Sequence, residues 1–263
     1  MLKKLLKYDL LNIYKLLIIF YSLSIISSII TRILFNIDNS LLFNVLAQIS
    51  SGFTISMIAN ILINNLMKLW TRFISNIYKD ESYLTHTLPV TKKEIYTSKV
   101  LTTVITLLTS VIVIIISLFI AYYSKENLEI LKNILLPLAN IYNSTILSIL
   151  AITFFTIFIQ LITIIQTGFN GIILGHKHNK NKTVLSIVYG VITYTIIQLF
   201  ILLIIYIFGL FNNNIMDLFI TNNITDPNLL KNILYLAIVI YTFVVIILYI
   251  INIKLFKKGV NVD

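Results

Sequence analysis

Thr91 and Glu94 stand three residues apart directly after Leu88-Pro89-Val90. A threonine hydroxyl at that spacing accepts from the backbone amide three residues on, while the glutamate carboxylate reaches back, closing two free amides where a helix begins. Val90 and Ile95 have the spacing of the apolar staple that accompanies such a cap. Pro89 disfavours helix at Leu88 and removes a backbone donor, so a helix over roughly Arg72 to Thr85 is expected to stop there and a second to start almost at once. The pattern predicts a stiff corner with Tyr83, Leu84, Leu88 and the basic pair Lys92 and Lys93 exposed. Such a corner transmits force from a partner where a floppy loop would absorb it; an ordinary well-capped connector carries the same signals.

Other residues that could do chemistry are sparse. The seven glycines lack the G-x-x-x-x-G-K-[S/T] spacing that cradles phosphate, so no nucleotide or other cofactor is expected on this chain. His176 and His178, among Lys177, Lys180 and Lys182, could meet a metal or anionic lipid. A lone H-x-H in a lysine-rich loop reads instead as solvated and topology-setting, and no metal site is expected. Gly171 and Gly175 form a G-x-x-x-G that would let two helices approach closely. Asn143, Asn181 and Asn223 open N-x-[S/T] triplets of low specificity.

The elements that must position these residues follow from composition. The 263 residues are 58% hydrophobic and only 11% charged, against roughly 45–50% and 25% in soluble domains. Backbone in lipid must close its own hydrogen bonds, and uniform rather than alternating hydrophobicity points to helices. The expected fold is an all-α integral membrane protein, one transmembrane domain over residues 1–263. Six stretches reach span length: about 16–35, 41–67, 100–123, 138–167, 184–211 and 232–253. The uncharged run from Asn133 to Gly175 exceeds a bilayer's need, so the fourth span is expected to continue past the membrane. The basic start resembles a secretory signal, but its apolar run is span length and no small-residue cleavage site follows, so it is read as a retained first span. With no cysteine, disulfides and thiolate metal sites are ruled out.

Orientation follows from the basic residues. Sixteen of the twenty Lys and Arg fall on one side of six alternating spans, whereas the ten acids divide evenly. The positive-inside rule then puts both termini in the cytoplasm, and the net charge of +10 reports topology rather than nucleic-acid binding. Leu2, Leu5, Leu6, Leu10, Ile13 and Leu17 recur at helical spacing, largely apart from Lys3, Lys4, Lys7 and Lys15; this predicts an N-terminal interfacial helix or a plain basic flank. The outer loops, Ser124 to Pro137 and Asn212 to Leu230, hold short amphipathic pieces such as Ile215 to Ile220, with Asp226-Pro227 as a turn or helix-start signal. No span interior carries Asp, Glu, Lys, His or Arg, because Arg32 sits at a span end. Proton relays need such groups, so an engine outside the chain is the simplest inference. Gln48, Asn60, Asn64 and Asn65 in span two, Gln160 in span four and Gln198 in span five are neutral groups that more often join helices than touch cargo.

The segment Asp80 to Lys99, DESYLTHTLPVTKKEIYTSK, resembles the cytoplasmic stretch between spans two and three of ABC type-2 permeases, exporter subunits of bacterial peptide and antibiotic transporters. That stretch combines an acidic pair, a tyrosine, a Thr-Leu-Pro-Val-Ser/Thr core and a later lysine. The match falls at Asp80, Glu81, Tyr83, Leu84, Thr87, Leu88, Pro89, Val90, Thr91 and Lys99, with Lys92 and Lys93 where arginine is frequent. It covers about twenty residues, and spans four to six resemble the family only in hydropathy and in a basic loop before span five.

The resemblance implies a bacterial inner-membrane permease whose coupling helix, here Tyr83, Leu84 and Thr87 to Glu94, docks in a separate ATPase that carries ATP and magnesium. It also implies a second six-span subunit, identical or paralogous, and a transport route lined by spans two and five, making Gln48, Asn60 and Gln198 pathway candidates. Uncharged walls suit an apolar or amphipathic peptide, antibiotic or lipid-like substrate. A non-transporting immunity or scaffold protein that binds a toxin peptide is the alternative. An intramembrane enzyme would need clustered acids, histidines or metal ligands at membrane depth, and the sequence shows none.

Overall fold

A computed structural model describes residues 1–37, 41–141, 143–211 and 227–258, and every described element is α-helical. The helices are α1 Leu2–Phe35, α2 Leu41–Ile77, α3 Ser82–Thr87, α4 Lys92–Tyr122, α5 Lys125–Ile141, α6 Ile146–Gly175, α7 Lys182–Phe211 and α8 Pro227–Lys257. Six are long and apolar enough to cross a membrane: α1, α2, α4, α6, α7 and, from Ile233, α8. The chain therefore has the make-up of a multi-pass membrane protein. The expected amphipathic piece Ile215 to Ile220, Asp226 and the Asn223 triplet lie outside the described residues; Pro227 opens α8, the first helical position, where its missing donor costs nothing.

Several boundaries differ from the sequence expectation for local reasons. No separate N-terminal helix precedes the first span, because nothing between Leu2 and Phe35 breaks helix; α1 is unbroken over 34 residues, about 51 Å at 1.5 Å per residue. The helix expected over Arg72 to Thr85 is two pieces, as α2 stops at Ile77 and α3 starts at Ser82. Span four was expected from Leu138, but residues 138–141 finish α5, whose Pro137 is internal, and α6 begins only at Ile146. Asn143 adopts φ 44°, a left-handed conformation asparagine tolerates, and this turns the chain between them. As the long uncharged run suggested, α6 continues to Gly175.

By contacts the chain forms two compact units, residues 1–129 and 130–263. In the first, α1 and α4 run parallel and share a seam of hydroxyls. Tyr14 Oη meets Thr109 Oγ1 at 2.9 Å, Tyr21 Oη meets Ser110 Oγ at 2.8 Å, and Ser24 Oγ donates to Ser117 Oγ at 2.8 Å. Past that seam, Arg32 Nη1 donates to the carbonyls of Ile120 and Tyr123 at 3.2 Å, closing the carboxyl end of α4. Helix α2 runs antiparallel to both: Thr31 Oγ1 meets Ser50 Oγ and Thr54 Oγ1, and Asn65 Nδ2 donates to Ser110 Oγ at 2.9 Å. Small hydroxyl residues let helix backbones approach in lipid, where apolar burial supplies no drive between helices.

In the second unit α6 and α7 cross antiparallel where Gly171 and Gly175 face Ser186 and Gly190. A Cβ on Gly171 would lie 2.6 Å from Gly190 Cα, so the G-x-x-x-G is a true close approach. Helix α8 runs parallel to α6. Asn170 Nδ2 donates to Asn252 Oδ1 at 2.7 Å, Thr193 Oγ1 donates to Asn170 Oδ1 at 3.0 Å, and Asn252 Nδ2 to the Gln166 carbonyl at 3.1 Å, joining all three helices. An apolar cluster of Ile201, Ile240, Tyr241, Val244 and Leu248 packs farther along. The parallel pair also puts Lys177, Lys180 and Lys182 at the same end of this unit as Lys254, Lys257 and Lys258.

Candidate functional site

The connection from α2 to α4 is built as a braced corner. Helix α2 ends at Ile77, Tyr78 and Lys79 both donate back to the Ile74 carbonyl, and Ser82 N donates to Lys79 O at 2.7 Å as α3 begins. His86 Nε2 donates to the Ile77 carbonyl at 3.2 Å, tying the short α3 to the end of α2. Leu88 is extended at φ −65°, ψ 141°, as a residue before proline should be. Val90 N donates to Leu88 O at 2.7 Å, a three-residue turn around Pro89. The expected reciprocal cap is present: Glu94 N donates to Thr91 Oγ1 at 3.2 Å, and Thr91 N donates to Glu94 Oε2 at 2.9 Å.

Beneath the corner Phe73, Tyr78 and Tyr96 are buried, with Phe73 6.4 Å from Tyr78 and edge-on to Tyr96 at 6.3 Å. Burial pushes the Tyr78 phenol's pKa up. Beside them lies a network of two acids and two bases. Lys99 Nζ donates to Asp9 Oδ1 at 2.6 Å, Ser98 Oγ donates to Asp9 Oδ2 at 3.0 Å, and Arg72 Nε lies 3.5 Å from Asp9 Oδ1. Arg72 Nη1 also donates to Glu81 Oε1, and Asn76 Nδ2 donates to Glu81 Oε2 at 3.1 Å. The Asp9 and Lys99 side chains are 6% and 5% exposed, so this pair is dry. Burial acts to raise the Glu81 pKa, but hydrogen bonds from Arg72 and Asn76 and the Arg72 and Lys99 charges outweigh it and hold the carboxyl below its usual range.

The opposite face of the corner is bare. Tyr83 is 77% and Leu84 67% exposed, and Thr87, Leu88, Pro89 and Lys93 are exposed as well, while Ser82 and Thr85 turn inward. Val90, Lys92 and Glu94 are half-buried. Apolar groups outward and hydroxyls inward invert the order of a surface helix, so α3 offers a ready contact patch.

The remaining candidates are scattered. Gln48 is exposed on α2, and Asn60 is half-buried with its amide returned to the Ser56 carbonyl at 3.0 Å, both in the first unit. Gln198, in the second, accepts from Tyr241 Oη at 3.2 Å. The loop expected to be solvated splits: His178 stacks on Tyr189, but His176 is 2% exposed and its Nδ1 donates to the Ile172 carbonyl, because it caps α6 against Ser186.

Asp9, Asn76 and Ser98 were missed by sequence reasoning, Arg72 entered only as a topology charge and a helix start, and Lys99 only as a topology charge and a matched position of the resemblance, neither of them as a partner of a buried acid. The available signal was Asp9 itself, an acid on the apolar stripe of Leu5, Leu6, Ile13 and Leu17, where a carboxylate requires a buried cation. No family model matches the chain, and no curated protein or solved structure matches it significantly.

Proposed function

We propose that this chain is the membrane-spanning subunit of an ATP-driven exporter of the ABC type-2 kind, and that the corner between α2 and α4 is its coupling helix. One observation carries the reading: Tyr83, Leu84 and Leu88 stand bare on a corner whose inner side is locked by buried ions and rings. Exposed apolar groups on a rigid mount are what a partner grips. The Asp80-to-Lys99 resemblance names that partner as a separate ATPase, and the chain's own lack of a phosphate cradle agrees with an external motor.

In this reading the basic ends of both units face the cytoplasm of a bacterial cell, as do both termini. The first turns of the long α1, with Lys3, Lys4 and Lys7, lie among inner-leaflet headgroups. Two six-span subunits, identical or paralogous, sit on two ATPases. Closure of the ATPase dimer pushes on Leu88 and Tyr83. The Glu81–Arg72–Asp9–Lys99 network then passes the push to α1, α2 and α4 together, tilting them to open an outward route for an apolar or amphipathic peptide, antibiotic or lipid-like substrate.

Affinity purification from the native membrane tests this directly. A nucleotide-binding subunit should co-purify, and recovery of none counts against the reading. Leu88→Asp, at an exposed position, should leave insertion and melting temperature unchanged but abolish both ATPase retention and export. Unchanged export in that variant would remove the corner from the mechanism.

A further inference from the structure

Near the middle of its spans, the second unit holds a cavity of about 140 Å³ lined by Gln160, Thr163 and Ile164 of α6, Tyr194 and Gln198 of α7, and Tyr241 of α8. Five of these six side chains carry hydrogen-bonding groups, yet only part of that capacity is used. Tyr241 Oη donates to Gln198 Oε1 at 3.2 Å and Thr163 Oγ1 to the Ile159 carbonyl at 2.9 Å. The Gln160 amide, the Gln198 amide nitrogen and the Tyr194 hydroxyl have no hydrogen-bond partner among the described residues. Unmet polar groups at this depth are costly, because lipid supplies nothing to pair with them.

On one side of the cavity Tyr241 belongs to the apolar cluster with Ile201, Ile240, Val244 and Leu248. On another, Tyr194 is 39% exposed at mid-helix, so the lining is not sealed on that side. The lining restricts what can enter. No charged group lines it, so an ion would lose its hydration without a partner. A pure hydrocarbon would leave the Gln160 carboxamide, the Gln198 amide nitrogen and the Tyr194 phenol unpaired. What satisfies the lining is a neutral group that both donates and accepts. An apolar cavity of about 150 Å³ takes one benzene, so this one has room for about six heavy atoms, the size of an amide with its flanking carbons.

We propose that this niche binds a neutral amide carried on an apolar chain, entering laterally from the bilayer, with Gln160 and Gln198 exchanging hydrogen bonds with it and Tyr194 at the mouth. This deepens the exporter reading by giving the chemistry of the cargo, an apolar peptide or fatty amide rather than a charged lipid, and it rests on that reading only in calling the occupant cargo.

The test uses the full chain alone in phosphatidylcholine nanodiscs, with no ATPase, so its result is independent of the coupling corner. The probe is N-dodecylacetamide carrying a diazirine beside the amide; after irradiation the labelled residues are mapped by mass spectrometry. Label should concentrate at residues 159–164 and 194–198, be displaced by unlabelled N-dodecylacetamide and resist dodecane and dodecylammonium. Gln160→Leu removes a side chain without a protein partner, so it should fold normally, as melting temperature checks, while labelling falls about tenfold. Gln198→Leu should do the same with Tyr241 left in place. Label spread evenly over the lipid-facing side chains of α7, as mere partitioning or a water-filled niche would give, overturns the proposal. Unchanged labelling in both leucine variants also overturns it. Niche labelling in nanodiscs, together with recovery of no nucleotide-binding subunit when the chain is purified from its native membrane, would count against the exporter reading and leave the amide site standing.

Discussion

Lys99 Nζ lies 2.6 Å from Asp9 Oδ1 although the two residues are 90 positions apart, and both side chains are almost fully buried. The pair sets the register of two parallel helices. From it each polar contact between α1 and α4 recurs at a separation of about ninety residues, through Tyr14 and Tyr21 to Ser24 and Arg32. Because Arg72 bridges the same carboxylate to Glu81, the start of α1 is tied to the corner after α2 by a continuous chain of ion pairs.

Breaking that pair should be expensive. Asp9→Ala strands Lys99 with its charge buried and leaves Arg72 only Glu81, and loss of one partner of a buried ion pair costs about 3–5 kcal/mol. Thermal unfolding of the detergent-purified chain should fall accordingly. The double variant Asp9→Leu with Lys99→Met should recover most of the loss, since it removes both charges together. A double variant no better than either single one would mean the pair is not what holds α1 to α4.

Glu81 gives the corner a pH dependence of definite sign. Its pKa is lowered in the folded chain, so its contribution is fully present above the unfolded value of about 4.5 and is lost as pH falls through the lower folded value. Its side chain is 40% exposed, so the effect is local rather than global. Amide exchange at residues 79–88, corrected for intrinsic rates, should show protection that is level from pH 7 to 5 and declines below about 4. Glu81→Gln should flatten that dependence.

The cap that starts α4 is a separate device from the ion network. Thr91→Ala removes the hydroxyl that accepts from Glu94 N, and loss of such a cap typically raises local opening about fivefold. Exchange at residues 92–95 should speed up by that factor while the global melting temperature hardly moves. Thr91→Ser, which keeps the oxygen, should restore protection. If the corner transmits force, Thr91→Ala should also lower export at unchanged ATPase binding, because the mount is softened and the patch at Tyr83 and Leu84 is not.

How much of this was legible in the sequence differs by element, for physical reasons. Hydropathy is additive along the chain, so the six long helices could be read directly, as could the Thr91–Glu94 cap, which is local and carries its own spacing. The turn at Asn143 escaped because the run around it is uniformly uncharged and gives no contrast. The ion network escaped because its members are separated by up to ninety residues, and a lysine near a membrane boundary looks the same whether it is solvated or, like Lys99, paired with a distant acid. The hydroxyl seam had a weak trace, since Thr103, Thr106, Ser110 and Ser117 fall at three-, four- and seven-residue steps on α4.

Gly171 and Gly52 make an internal comparison of what glycine does in these helices. A Cβ on Gly171 would collide with the Ser186 carbonyl and the backbone of Gly190, atoms that cannot rotate away, so Gly171→Ala must push α6 and α7 apart. Gly52 on α2 has nothing within 4 Å of its would-be Cβ, so Gly52→Ala should be neutral or stabilising by up to about 1 kcal/mol from helix propensity alone. Disulfide trapping between cysteines placed at Thr167 and Gly190 reads the separation of α6 and α7. Trapping should be fast in the parent and in the Gly52→Ala background and at least several-fold slower with Gly171→Ala. The same separation would pull Thr193 from Asn170 and widen the niche between Gln160 and Gln198, so Gly171→Ala should also weaken labelling by the amide probe, whereas Gly52→Ala should leave it unchanged.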